Sequence, residues 1–185
     1  MKHRRSSLIL RGVFVAFVLQ AHASGFSQYV TVPEPYSGIA RAHGIPPTLI
    51  YAVALAESGK YVTRLQTTQP WPWTLNIAGE GRYYPSREAA IEDARQALAG
   101  GVRSVDFGLM QVNWGYHKTA LRSVESAIDP VYNLEVGARI LAGCYQARGD
   151  WWAAVGCYHA PANAERAARY RDRVSHIWTR VTAAE

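Results

Sequence analysis

No repeat, low-complexity tract or long linker interrupts this sequence, and its composition shows no break of the kind that separates two domains. Cysteine is scarce, with only Cys144 and Cys157. Past the first segment the histidines are His43, His117, His159 and His176, and they show no metal-ligand spacing, so no metal or other cofactor is expected. Long apolar runs are scarce too. The best one, residues 12–19, is too short for a permanent membrane anchor and is bounded by Arg11, which argues against a stable span in the mature protein.

Acidic residues are absent from residues 1–23, which hold Lys2, Arg4, Arg5 and Arg11. The rest of the chain therefore carries 16 basic against 14 acidic groups, a net +2 where the whole sequence has +6. A nucleic-acid partner argued from the alkaline pI loses its support, because phosphate backbones are bound by clustered Lys and Arg. The remaining positive charge gathers at Arg166, Arg169, Arg171 and Arg173, which reads as a solvated helix face.

What is present in residues 1–23 is the three-part pattern of a secretory signal: a basic start, the apolar run, and Ala21-His22-Ala23 as a small-residue cleavage site. Cleavage after Ala23 leaves one domain, residues 24–185, with a core of about 36–175, and places it in the periplasm. An even cysteine count in an oxidising compartment favours a Cys144–Cys157 disulfide, which would tie two consecutive helices together and stabilise by ~3 kcal/mol on the chain-entropy model.

Residues 36–43 read as a short helix ended by Gly44, and residues 47–57 as a helix with almost no polar face, hence buried. Residues 61–85 mix Pro70, Trp71, Pro72, Trp73, Gly79 and Gly81 and suit a loop or small β-hairpin. Ser86 caps a helix to Ala99, and residues 102–113 form an irregular crossing. A well-patterned helix spans 130–148 with Gly149 as its stop. Asp150 caps the next, and a last amphipathic helix ends near Val181.

Glu57 stands out because an apolar helix ends in a carboxyl group that is costly to bury charged. Burial and the negative end of the helix dipole should both raise its pKa, keeping a proton available near neutrality. A carboxylate that pairs with a basic residue or turns to solvent is the bland alternative. Ala56-Glu57-Ser58-Gly59, then Gly108-Leu109-Met110-Gln111-Val112-Asn113, Asn133-Leu134-Glu135-Val136-Gly137-Ala138 and Gly156-Cys157-Tyr158-His159-Ala160-Pro161 occur in an order that resembles the soluble lytic transglycosylase (SLT) domain of the lysozyme-like superfamily. The resemblance spans about residues 36–175. It is nearest to the small specialised transglycosylases of conjugation, secretion and pilus machines.

That resemblance implies a mainly α, lysozyme-like (goose-type/SLT) domain with a small β-hairpin or irregular insertion. Its cleft would run between the end of the Glu57 helix and the crossing at residues 108–113. It also implies a carbon–oxygen lyase acting on peptidoglycan glycan strands. Glu57 would protonate the oxygen between N-acetylmuramic acid and N-acetylglucosamine. It would then take the proton of the muramoyl C6 hydroxyl as a 1,6-anhydro ring closes. The resemblance makes Ser58, Gly108, Met110, Gln111, Asn113, Tyr158 and His159 candidate substrate contacts, with Gly108 admitting backbone close to sugar and Met110 packing on a ring. His159 stands where Asn is commoner. Asp106 is the candidate second carboxylate that a hydrolytic muramidase would need, and bonding to nearby backbone N–H groups is the alternative for it. Trp71, Trp73, Tyr83 and Tyr84 are candidates for stacking on sugars, Trp73 and Tyr84 foremost, with core packing the alternative. A non-catalytic glycan-binding assembly subunit is the rival from another class.

Overall fold

The computed structural model describes residues 31–183, so the signal segment expected at residues 1–23 lies outside the described residues. Helix α1 (Glu34–Ala42) begins two residues before its expected start, with Pro35 in the first turn where no helical N–H is needed, and it ends ahead of Gly44 at φ +66°. Helix α2 (Pro47–Ser58) likewise opens on a proline. Because apolar residues go all the way round α2, it can only be stable inside the protein. It is covered by α1, the last helix and a β-hairpin, with Ile50, Ala52, Val53 and Ala54 inaccessible to solvent. Burying a side chain such as Ile50 or Val53 contributes roughly 1.5–3 kcal/mol.

The region read as a loop or one hairpin contains two hairpins. Strands β1 (Gly59–Val62) and β2 (Thr67–Pro70) pair antiparallel across a single 3₁₀ turn. Strands β3 (Thr74–Ile77) and β4 (Glu80–Tyr83) are joined by Ala78-Gly79, both at positive φ, as a two-residue turn matching strand twist demands. The expected irregular crossing at 102–113 is also corrected: it holds β5 (Val105–Phe107) and β6 (Val112–Asn113), which extend the second hairpin into an antiparallel sheet of order β4-β3-β5-β6. Helix α3 (Arg87–Ala99) is capped by the Ser86 hydroxyl, which accepts from Ala89 N–H.

Two short helices that the sequence did not announce follow, α4 (Trp114–Leu121) and α5 (Val124–Ala127), capped by Asn113 and Ser123. Helix α6 (Pro130–Arg148) matches its expected bounds, with Asp129 as cap and Gly149 at φ +71° as stop. Helices α7 (Trp151–His159) and α8 (Ala164–Thr182) complete a mainly α domain with a small β insertion. Cys144 of α6 and Cys157 of α7 form the expected disulfide, with Cα atoms 5.9 Å apart. The bridge pins the helix that carries Tyr158 and His159. Among the described residues no helix is long and apolar enough to cross a membrane.

Candidate active site

The end of α2 is fixed by its own sequence. Ser58 is fully buried, and its hydroxyl lies 2.8 Å from the carbonyl of Leu109 and 3.1 Å from that of Ala54. The last turn of α2 is thereby joined to the turn between β5 and β6. Buried Asn133 holds the same turn from α6: its amide nitrogen donates to the carbonyls of Phe107 and Ala127, and its oxygen accepts from Met110 N–H. Tyr158 closes the arrangement from α7, donating to the Met110 carbonyl at 2.6 Å. Gly108 sits at φ +72°, and a Cβ there would lie 2.7 Å from the Asn133 side chain. Gly137 of α6 similarly makes room for Met110, whose side chain a Cβ would meet at 2.5 Å.

With the backbone so held, the Glu57 carboxyl is 11% exposed. Tyr170 of α8 donates to its Oε1 at 2.5 Å. His159 Nδ1 stands 4.0 Å from the same oxygen, and its ring stacks on that of Tyr170 with centroids 4.2 Å apart. Burial dominates the electrostatics and pushes the Glu57 pKa up to about 7, opposed by the Tyr170 hydroxyl and the Arg173 charge and aided by Asp106. Burial also holds the His159 imidazole below its ordinary range, helped by Arg166 and Arg173. His159 is therefore neutral near pH 7, and its approach to Glu57 is not an ion pair. Burial and the nearby Glu57 carboxyl push the Tyr158 and Tyr170 phenols far up, so both stay neutral. The site thus presents one carboxyl that can lend and recover a proton near neutrality, held by a single neutral donor, the Tyr170 hydroxyl.

The profile of the Transglycosylase SLT domain family matches residues 35–180. The chain belongs to the SLT domain family. No curated protein and no solved structure matches the chain in the corresponding comparisons. Family membership identifies the fold as lysozyme-like and indicates a lytic transglycosylase, a lyase acting on peptidoglycan.

Within this SLT domain several residues expected to contact substrate also hold the scaffold. Met110 is fully buried against α6 and offers no surface to a sugar ring. Ser58 is buried and bonded to backbone, and the lack of a Cβ at Gly108 makes room for the Asn133 side chain. Asn113 caps α4 through its oxygen and donates to Asp106 Oδ1 at 2.6 Å through its nitrogen. Asp106 lies in β5 with that side-chain bond, not in a backbone-capping loop, and burial raises its pKa. Gln111, at φ +45°, donates to the carbonyls of Thr74 and Gly108, which leaves its side-chain oxygen without a donor among the described residues.

The aromatic pairs divide by strand position. Trp73 and Tyr84 pack against the core, and the Tyr84 hydroxyl is committed to Asp93. Trp71 and Tyr83 instead lie beside the end of α2: the Trp71 backbone N–H donates to the Ser58 carbonyl at 2.9 Å while its indole N–H donates to that of Tyr84, and the Tyr83 hydroxyl donates to the Gly59 carbonyl at 2.8 Å. Tyr170 and Arg173 were missed by sequence reasoning, since on an amphipathic helix a tyrosine at an apolar position reads as core. Among the described residues no group of three His, Cys, Asp or Glu side chains is placed to hold a metal. A groove of about 490 Å³ between α2, the β1–β2 hairpin and α8 is lined by Tyr51, Leu55 and Ile177 but by no carboxyl group. Tyr51 and Leu55 lie on the face of α2 away from Glu57.

Proposed function

We propose that this SLT domain cleaves the β-1,4 bond between N-acetylmuramic acid and N-acetylglucosamine with Glu57 as its sole acid and base. The observation that carries the reading is a nearly buried carboxyl whose pKa is raised to about 7 while the groups nearest to it are neutral. Protonated Glu57 gives its proton to the glycosidic oxygen as the bond to the muramoyl anomeric carbon breaks. The N-acetyl carbonyl shields the cationic carbon. The carboxylate so formed, held by the Tyr170 hydroxyl, then takes the proton of the muramoyl C6 hydroxyl, whose oxygen closes on the anomeric carbon. Glu57 is again protonated, the product is a 1,6-anhydro sugar, and no water is consumed. Gln111, His159 and Tyr158 orient this chemistry: the free Gln111 oxygen as an acceptor for substrate, His159 beside the acid, and Tyr158 through the turn it holds.

A hydrolytic muramidase is the second reading, favoured by one observation: Asp106 is near enough to Glu57 to raise its pKa. Two carboxyl groups are what hydrolysis with a water or covalent step requires. Mass spectrometry of digested sacculi separates the readings. Anhydro-muropeptides support transglycosylation, and Asp106→Asn should still produce them; new reducing ends, lost in Asp106→Asn, would support hydrolysis. Glu57→Gln protein should bind sacculi without clearing them, whereas undiminished clearing would refute the mechanism.

The address of the enzyme belongs to the same proposal. Residues 1–23 have the composition of a cleaved signal peptide, residues 24–185 would form one periplasmic domain, and the likeness of the motifs to small specialised transglycosylases supports local opening of the wall for an envelope-spanning secretion, conjugation or pilus machine. Mass measurement of the protein from a periplasmic fraction, expected to start at Ser24, checks the first two points.

A further inference from the structure

The arginines of α8, read from the sequence as a uniform solvated face, are not equivalent once the helix is in place. Arg166, Tyr170 and Arg173 stand at i, i+4 and i+7 and share one stripe. Tyr170 aims that stripe at Glu57, since its hydroxyl is the group bonded to the acid. The Arg173 guanidinium lies 5.6 Å from the centre of the Tyr170 ring, on which His159 also stacks. Arg169, off the stripe, is neutralised by Glu165. Among the described residues, arginine–carboxylate pairs involve Arg41, Arg82, Arg95, Arg139 and Arg169, not Arg166 or Arg173. Both are exposed. The edge of the acid's surroundings thus carries two unneutralised guanidinium groups on helix positions about 10 Å apart.

Where the lactyl carboxyl of the muramoyl residue is amide-linked to a peptide, the sugars themselves offer no anion for two cations to recognise. The peptide attached to the lactyl group of the muramoyl residue does, because it carries free carboxylates close to the bond that is cut, and planar guanidinium forks bind carboxylates through two parallel hydrogen bonds. We propose that Arg166 and Arg173 form a carboxylate-binding subsite for the peptide stem, which makes this enzyme favour stem-bearing over stem-neutralised glycan. The inference rests on the reading of Glu57 as the peptidoglycan acid. The charges of both arginines also reach His159, so a purely electrostatic role in tuning the site is the alternative that the test must separate.

Arg166→Gln, in the exposed first turn of α8, is the variant of choice. On stem-bearing strands its KM should rise roughly tenfold, with kcat at saturating substrate retained and Arg166→Lys recovering part of the loss. On strands whose carboxylates have been converted to methylamides, variant and parent should have the same KM. Equal loss on both substrates, or no loss on either, overturns the subsite. A second measurement is independent of turnover: a free tetrapeptide stem titrated into Glu57→Gln protein and followed by NMR. Binding that weakens roughly tenfold with the further changes Arg166→Gln and Arg173→Gln supports the subsite. Absent or unaltered binding overturns it, even if the parent enzyme releases anhydro products. Peptide binding by an enzyme that releases none would sink the Glu57 reading and leave the subsite supported.

Discussion

Glutamine in place of Glu57 removes a titrating group while keeping the shape of the side chain and an oxygen that the Tyr170 hydroxyl can still reach. The pH dependence of folding stability should register that change directly. Glu57 holds its proton up to about 7 in the folded protein, against an ordinary value of 4.5. Because its folded pKa is raised, the folded state binds the proton more tightly than the unfolded chain does. That advantage is complete below pH 4.5 and is lost as the pH rises through about 7. The gap corresponds to about 3 kcal/mol. The carboxyl is only 11% exposed, so solvent screening takes little from this figure. Relative to Glu57→Gln, the parent protein should therefore lose about 3 kcal/mol between pH 4 and pH 8, or roughly 6–12 °C in Tm for a domain of this size. Urea unfolding of both proteins across that range measures it, and comparing the two cancels the titration of every other group. Parallel stability profiles would refute the claim that burial of Glu57 sets its proton affinity.

Tyr170→Phe removes the hydrogen bond that favours the Glu57 carboxylate, so the Glu57 pKa should rise and the alkaline fall in rate should move to higher pH; an unmoved limb in the pH–rate profile would contradict this. Asn133→Ala strips partners from buried Phe107, Ala127 and Met110 backbone groups and should cost about 2–4 kcal/mol in urea unfolding. A cost below about 1 kcal/mol would show that the turn between β5 and β6 is held by something else. Reduction of the Cys144–Cys157 bridge should destabilise the domain by about 3 kcal/mol, read as a fall in Tm with dithiothreitol.

The elements legible in the sequence were those whose burial leaves a continuous record. Helix α6 shows apolar residues at helical spacing from Pro130 to a stopping Gly149, and α2 advertises its burial by having no polar face. Strands β5 and β6, three and two residues long, are too short to establish an alternation. Helix α4 has a non-helical residue, His117, inside it, which weakens any periodic signal. Within the site, Glu57 was conspicuous because a carboxyl in apolar company is chemically costly. The polar residues around it were harder to interpret, since Ser58, Asn113 and Tyr158 bind backbone or neighbouring side chains with the same groups that would bind a sugar. Tyr170 is 113 residues from Glu57 in the chain, and only the packing of α8 against α2 brings its hydroxyl to the acid.

Digestion of sacculi in water enriched in oxygen-18 puts the single-carboxyl mechanism to its most direct trial. Closure of the ring by the muramoyl C6 oxygen should leave every new muramoyl end unlabelled and about 20 Da lighter than an end hydrolysed by the heavy water. One heavy oxygen at each new end would mean that water was the nucleophile, and Glu57 would then need a second carboxylate to complete the reaction.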